Sequence, residues 1–296
     1  MSQLVTIGNG RLTALIADRG AEIHSLVPAG GPDVMWAGDA DVWSWHAPNL
    51  FPIVGALAND ELVHEGVRYP MKQHGFLRHS PCEVIEAGLD ACAFRLADNA
   101  ATRAQYPFAF TLVIRYRVEG DRLNCSFSLH NPGHVPIYAS IGAHPGFRRP
   151  LGGAARDAHV VLFDKPEPAS IRRLGGRAMA PDPRPTPVEG RVLRLEDSLF
   201  DEDAIIFDRL ESRKITYGAP GSQAVEISFA DFPDLGIWAK PGKSPFVCLE
   251  PWQGMASPAG FEGEFAQKPG VVALGPETTR EWRYSIRVLP EMPALP

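Results

Sequence analysis

The sequence of 296 residues predicts an all-β fold, an antiparallel sandwich or barrel. Three observations carry this. Apolar residues recur at period two in short runs along the whole chain, the pattern of strands with one buried face. Glycine and proline, 28 of each, are dispersed between those runs as turn punctuation rather than gathered in one tract. No long segment has the 3.6-residue periodicity of an amphipathic helix. Many short strands separated by turn signals indicate a sandwich or barrel.

The elements follow in order. Val5 and Ile7 lead through Asn9-Gly10, a strong hairpin turn, to Leu12, Ala14 and Ile16. Leu112, Ile114, Tyr116 and Val118 alternate with polar or smaller neighbours. After the turn Glu119-Gly120-Asp121, the alternation resumes with Leu123, Cys125, Phe127 and Leu129. The stretch Pro166 to Pro187 is rich in Pro, Arg and Gly and reads as a long surface connection. Strands resume after it, so residues 1–296 read as a single domain. One short helical turn fits within Ser198 to Phe207. Phe246-Val247-Cys248-Leu249 reads as a buried strand, with Pro251 ending its ladder and leaving Glu250 extended at the tip. Trp282, Tyr284, Ile286 and Val288 form the last alternating strand.

Composition narrows the function. A hydrophobic share of 45% and a charged share of 22% are ordinary for a soluble globular protein. A net charge of -6 argues against a nucleic-acid partner. The cysteines Cys82, Cys92, Cys125 and Cys248 form no CxxC pair, and Cys125 and Cys248 fall in apolar strand patterns, as buried reduced thiols do. The start lacks a signal-peptide pattern and no apolar stretch is long enough to span a bilayer. The expectation is a cytoplasmic protein with no membrane partner.

Three residues stand out chemically. Glu250 sits beside Trp252 at the end of an apolar run, where desolvation raises a carboxylate towards the range of a general base. His144 lies in Gly142-Ala143-His144-Pro145-Gly146-Phe147, and His74 in Gln73-His74-Gly75-Phe76-Leu77-Arg78. Proline follows both His144 and Glu250, so each is held at a strand end, as an acid and base pair requires. Any one of these histidines alone is more commonly a core or turn residue. No HxH, HExxH or CxxC spacing supports a metal site, and no GxGxxG, Walker or GxSxG motif supports a nucleotide cofactor or a serine nucleophile.

Taken in order, the motifs make the chain resemble the aldose 1-epimerase (galactose mutarotase-like) family, in its LacX-like bacterial branch. They are Gly20-Ala21-Glu22-Ile23-His24-Ser25-Leu26, Met35-Trp36 before Trp43, Leu50-Phe51-Pro52-Ile53-Val54-Gly55, Gln73-His74-Gly75-Phe76 with Arg78, Gly142 to Phe147, Phe232-Pro233-Asp234-Leu235-Gly236-Ile237-Trp238, and Glu250-Pro251-Trp252. The resemblance runs nearly end to end.

The resemblance implies the mutarotase-like supersandwich, with a sugar cleft across one sheet. It implies a cofactor-independent isomerase that interconverts the anomers of an aldose; the sequence leaves open whether that aldose is phosphorylated and whether the protein is a monomer or homodimer. It carries the general acid to His144, the general base to Glu250, and sugar binding to His74 and Asp203, with Asp201 as the alternative to Asp203; Arg78 and Trp252 are further sugar-binding candidates from the residues themselves, with Trp252 equally readable as core. Trp36 and Trp238 are further stacking candidates. One departure stands against it. The family arginine after FPxxG is Ala56 here, with Arg78 or Lys240 as substitutes. Two rival functions remain: a carbohydrate-binding protein with little catalysis, and a metal-dependent isomerase using His74, His144 and Glu250.

Overall fold

The first hairpin forms where the sequence places it. Leu4–Gly8 and Leu12–Ala17 pair antiparallel around Gly10, and Ile23–Pro28 adds a third strand. The protein, a computed structural model describing residues 2–296, is built on two larger antiparallel sheets. One has nine strands, in the order 192–194, 160–163, 214–218, 224–228, 279–289, 122–130, 111–119, 91–97 and 83–87. The other has six. Ile205–Phe207, Asp234–Trp238, Phe246–Gln253, Ile141–Ala143 and Asn49–Leu50 lie in order, and Gly146–Arg148 also pairs with Phe246–Gln253. All-β architecture is thus observed, with antiparallel pairing throughout both sheets.

The principal core lies between the sheets. Ile114, Phe127 and Trp282 sit side by side across three strands of the larger sheet. They share one buried cluster with Leu235, Ile237, Val247 and Leu249 of the smaller. This is the period-two rule at work: Val247 and Leu249 turn into the sandwich, so Phe246, Cys248, Glu250 and Trp252 turn to the opposite face. That opposite face is also covered, and every residue of Phe246–Gln253 is buried.

Several expectations need correcting. Pro251 does not end the ladder: the strand runs through it to Gln253, and Pro251 pairs with Leu235. On its other side the neighbouring chain is interrupted between Ala143 and Gly146, so the missing proline N–H leaves no ladder bond unmade. Glu250 therefore sits within the strand rather than at its tip. Nor is 166–187 only a surface connection. Leu174–Gly175 pairs with Ala178–Met179, and Ile171 and Met179 are buried apolar anchors. A short helix, Ala100–Arg103, was not legible beforehand; Asn99 and Thr102 close a capping box around it. The expected turn near Ser198 is the 3₁₀ segment Asp197–Phe200. All four cysteines are free and buried. Among the described residues no helix is long and apolar enough to cross a membrane.

The loop carrying His74 is locked to the one carrying Phe51. The N–H groups of Phe76 and Leu77 both donate to the Phe51 carbonyl, at 3.1 and 3.2 Å. Gly75 permits this approach: its φ is +72°, and a Cβ there would lie 2.2 Å from the same oxygen. Gly75→Ala is accordingly expected to destabilise the fold by about 2–4 kcal/mol, combining left-handed backbone strain with a backbone clash. Urea denaturation checks this, and a loss below about 1 kcal/mol, within the ordinary range for mild substitutions, would count against the locking contact.

Candidate active site

A cleft of about 230 Å³ opens on the outer face of the six-stranded sheet, bounded by Trp43, His74, Arg78, Asp203, Trp238 and Trp252 around His144 and Glu250.

The centre of the cleft is a buried pair. His144 Nε2 lies 3.0 Å from Glu250 Oε2, with side chains 10% and 1% exposed. His144 occupies the break between Ile141–Ala143 and Gly146–Arg148, where its N–H donates to the Pro48 carbonyl at 3.1 Å. The approach of the two side chains is close but misaligned. Both Glu250 oxygens are buried without a hydrogen-bond partner, as are His144 Nδ1 and Trp252 Nε1. Burial raises Glu250 well above the usual carboxylate range, and the nearby charge of Asp203 adds to it, against a smaller opposing pull from the Trp252 N–H. Burial first, with the Arg78 charge adding to it against an opposing backbone hydrogen bond, pushes His144 down to about 3. Both shifts favour the uncharged forms, a protonated Glu250 beside a neutral His144.

His74 is fixed from two directions. Its N–H donates to the Gly55 carbonyl at 2.8 Å, and the Gly55 N–H donates to Nδ1 at 3.2 Å. Nδ1 is therefore the acceptor and Nε2 carries the hydrogen. Burial, then His144 and Arg78, hold His74 well below the usual histidine range, so it is a neutral donor. Its ring stands edge-on to His144, with centroids 5.6 Å apart. Arg78 donates to the Gln73 carbonyl at 2.9 Å and lies 5.2 Å over Trp45, while its Nε is buried and unpartnered.

The sequence candidates sort cleanly. His74, Arg78, His144, Asp203, Glu250 and Trp252 come together. Asp203 has φ +65° and anchors Arg173 through its carbonyl. Asp201 is exposed and does not border the cleft. Lys240 donates to the Val42 carbonyl instead. The Ala56 side chain is buried outside the lining, and its carbonyl accepts from Ser257. Of the two proposed substitutes for the family arginine, Arg78 is the one at the cleft. Trp238 borders the cleft, but Trp36 lies behind it, donating its indole N–H to the Trp43 carbonyl. Trp43 was missed as a cleft wall. Its ring is 5.2 Å from His144 and 5.7 Å from Trp238, and only its motif position hinted at this. Leu174 and Gln73 were missed as well.

The family model described as aldose 1-epimerase matches residues 3–270. The chain is 30% identical over 298 aligned positions to the plasmid-encoded protein LacX of Lactococcus lactis subsp. lactis, covering 96% of this chain and 99% of that protein. A galactose mutarotase related enzyme from Lactobacillus acidophilus superposes with a TM-score of 0.90 at 30% identity, covering 97% of each chain. A galactose mutarotase-like protein from Lactobacillus casei ATCC 334 gives 0.91 at 29% identity, covering 97% of this chain and all of the other.

Two outcomes follow from the geometry. A Cβ on Gly236 would lie 2.5 and 2.6 Å from the Trp252 ring. Gly236→Ala should therefore displace that indole and weaken ligand binding by about tenfold or more while the fold survives, since one misplaced wall group can cost a hundredfold. Titration of tryptophan fluorescence with sugar reads this, and unchanged affinity would show that Trp252 is not a binding wall. The second outcome concerns pH. Because the folded state raises the Glu250 pKa, its favourable contribution is complete below the unfolded value of about 4.3 and is lost as pH rises through the folded value. Glu250→Gln has no such loss. Its melting temperature should match wild type near pH 4 and exceed it increasingly towards pH 8. A wild type as stable as the variant at pH 8 would contradict the assigned shift.

Proposed function

We propose that this chain, which belongs to the aldose 1-epimerase family and is of LacX type, is a mutarotase that interconverts the α and β anomers of a hexose or related aldose. The observation that carries this is the 3.0 Å approach of His144 to Glu250 in a cleft with aromatic walls. A candidate acid and a candidate base thus stand side by side at the ends of a proton-transfer path.

The sugar's hydroxyls supply polar partners to Glu250 and so favour the ionised tautomer of the pair. Carboxylate Glu250 takes the proton of the C1 hydroxyl. Imidazolium His144 gives its proton to the ring oxygen. The C1–O5 bond breaks and C1 becomes the aldehyde carbon. After rotation about C1–C2 the steps reverse and the other anomer closes. Ring opening leaves Glu250 protonated and His144 neutral, the state that burial favours. No proton need be drawn from solvent at any step. Acid–base assistance of this kind contributes about 10²–10⁴-fold.

The supporting groups follow the same chemistry. Neutral His74 presents Nε2–H to a sugar oxygen. Arg78 presents a guanidinium whose nearest acidic influence is Glu22, which leaves it free to bind hydroxyls or a phosphate group. Asp203 accepts from a hydroxyl, and Trp252 packs on a sugar face.

Polarimetry of freshly dissolved α-anomers, across free and 6-phosphorylated hexoses, tests the proposal. Acceleration over buffer is expected for at least one sugar. Binding without acceleration would support a carbohydrate-binding protein instead. For that sugar, Glu250→Gln should lower the rate about 10²-fold or more, because an amide cannot accept the C1 proton. His144→Asn should be comparably slow, and His74→Asn should act mainly on binding. A Glu250→Gln variant at near wild-type rate would remove Glu250 from the mechanism.

A further inference from the structure

We propose that His144, Cys248 and Glu250 form an inhibitory site for a thiophilic divalent cation such as Zn²⁺ or Cd²⁺. The binding itself stands on geometry alone. That it inhibits rests on the mutarotase proposal above.

The site arises from strand geometry. Cys248 and Glu250 are two residues apart on one strand, so they share its cleft face. His144 faces them from the adjoining break. One donor atom from each of the three lies within 4.8 Å of the other two, and all three residues are buried. The Glu250 oxygens have no hydrogen-bond partner, and Cys248 is fully buried. Ligand bonds of about 2.0–2.3 Å place tetrahedral donors about 3.3–3.7 Å apart. The observed 3.0 Å between His144 and Glu250 reaches that spacing with a shift of a few tenths of an ångström.

The donor set selects the ion. One imidazole, one thiolate and one carboxylate suit Zn²⁺ or Cd²⁺, whereas Mg²⁺ and Ca²⁺ require oxygen shells. Three protein ligands leave the fourth position of a tetrahedral ion for water or another ligand. Charge also balances: a dication with one thiolate, one carboxylate and a neutral imidazole is neutral overall, so burial does not oppose it. Binding releases the thiol proton and the Glu250 proton to solvent, and affinity therefore rises with pH. The bound ion occupies the same lone pairs that the proposed acid and base use.

The cluster Glu22, His24 and His46 looks similar but fails on geometry. Its imidazole rings are stacked 4.0 Å apart at 13°. Their in-plane lone pairs run in separate parallel planes, so no single ion meets both.

The experiment titrates metal-free protein with Cd²⁺ and follows the ultraviolet thiolate-to-metal absorption together with the anomerisation rate. Wild type is expected to show the absorption at one ion per chain, with activity falling over the same range, while a chelator restores the metal-free rate. Cys248→Ser should keep that metal-free rate, lose the absorption and resist inhibition by about tenfold or more, since even outer ligand losses cost that much. Cys248→Ala serves in its place if serine disturbs folding. Absent thiolate absorption in wild type, or absorption undiminished in both variants, would overturn the site. A metal-free protein with no anomerisation would sink the mutarotase proposal, while the absorption would still report the site.

Discussion

The carboxylate of Glu250 is buried on a strand whose two faces are both covered, and the rest of the site is arranged around that constraint. A carboxylate in such a place cannot hold its charge cheaply. It raises its pKa or finds a proton partner, and His144 stands within 3.0 Å to share one. The strand cannot be shifted to relieve it. Moving Phe246–Gln253 by one residue would turn Val247 and Leu249 out of the core and Glu250 into it. Sandwich packing and site chemistry are thus two consequences of one period-two alternation.

The surrounding loops supply what the strand lacks. The interruption at His144-Pro145 brings an imidazole onto the cleft and also accommodates Pro251 on the adjacent strand. The reciprocal bonds between His74 and Gly55 fix one tautomer of His74. Trp43 and Trp238 pack against His144, and the burial of the pair strengthens the electrostatic effects within it. Family membership accounts for the scaffold. The departure lies in where the positive charge resides: Ala56 is turned away from the cleft, and Arg78 reaches it from the next motif along the chain.

Much of this was legible in the sequence because strands declare themselves through alternation. The hairpins at Asn9-Gly10 and Glu119-Gly120-Asp121 appear where turn chemistry demands them. The six site candidates met, and five of them, Asp203 apart, belong to local motifs that could be compared with a family. Other features left weaker signals. Pro251 was read by its usual role as a terminator, and nothing local reveals that the facing strand is broken. Leu174 lies in a stretch whose prolines and arginines resemble a loop, and only tertiary packing brings it to the cleft. Cys248 reads as a core thiol, and it is buried, yet its register two residues before Glu250 turns it to the same side of the strand and within reach of His144 and Glu250. Asp201 and Asp203 differ by two residues in an irregular turn, where no periodicity decides which one points inwards.

The central claim is that Glu250 and His144 share one proton that sugar binding redistributes. Carbon-13 and nitrogen-15 NMR of labelled protein, observing the Glu250 carboxyl and the His144 imidazole at neutral pH with and without a bound sugar, tests it most directly. The account predicts a protonated Glu250 and a neutral His144 in the free protein, with both shifting towards carboxylate and imidazolium when sugar binds. A Glu250 that is fully ionised in the free protein, titrates in the ordinary carboxylate range and ignores sugar would contradict it.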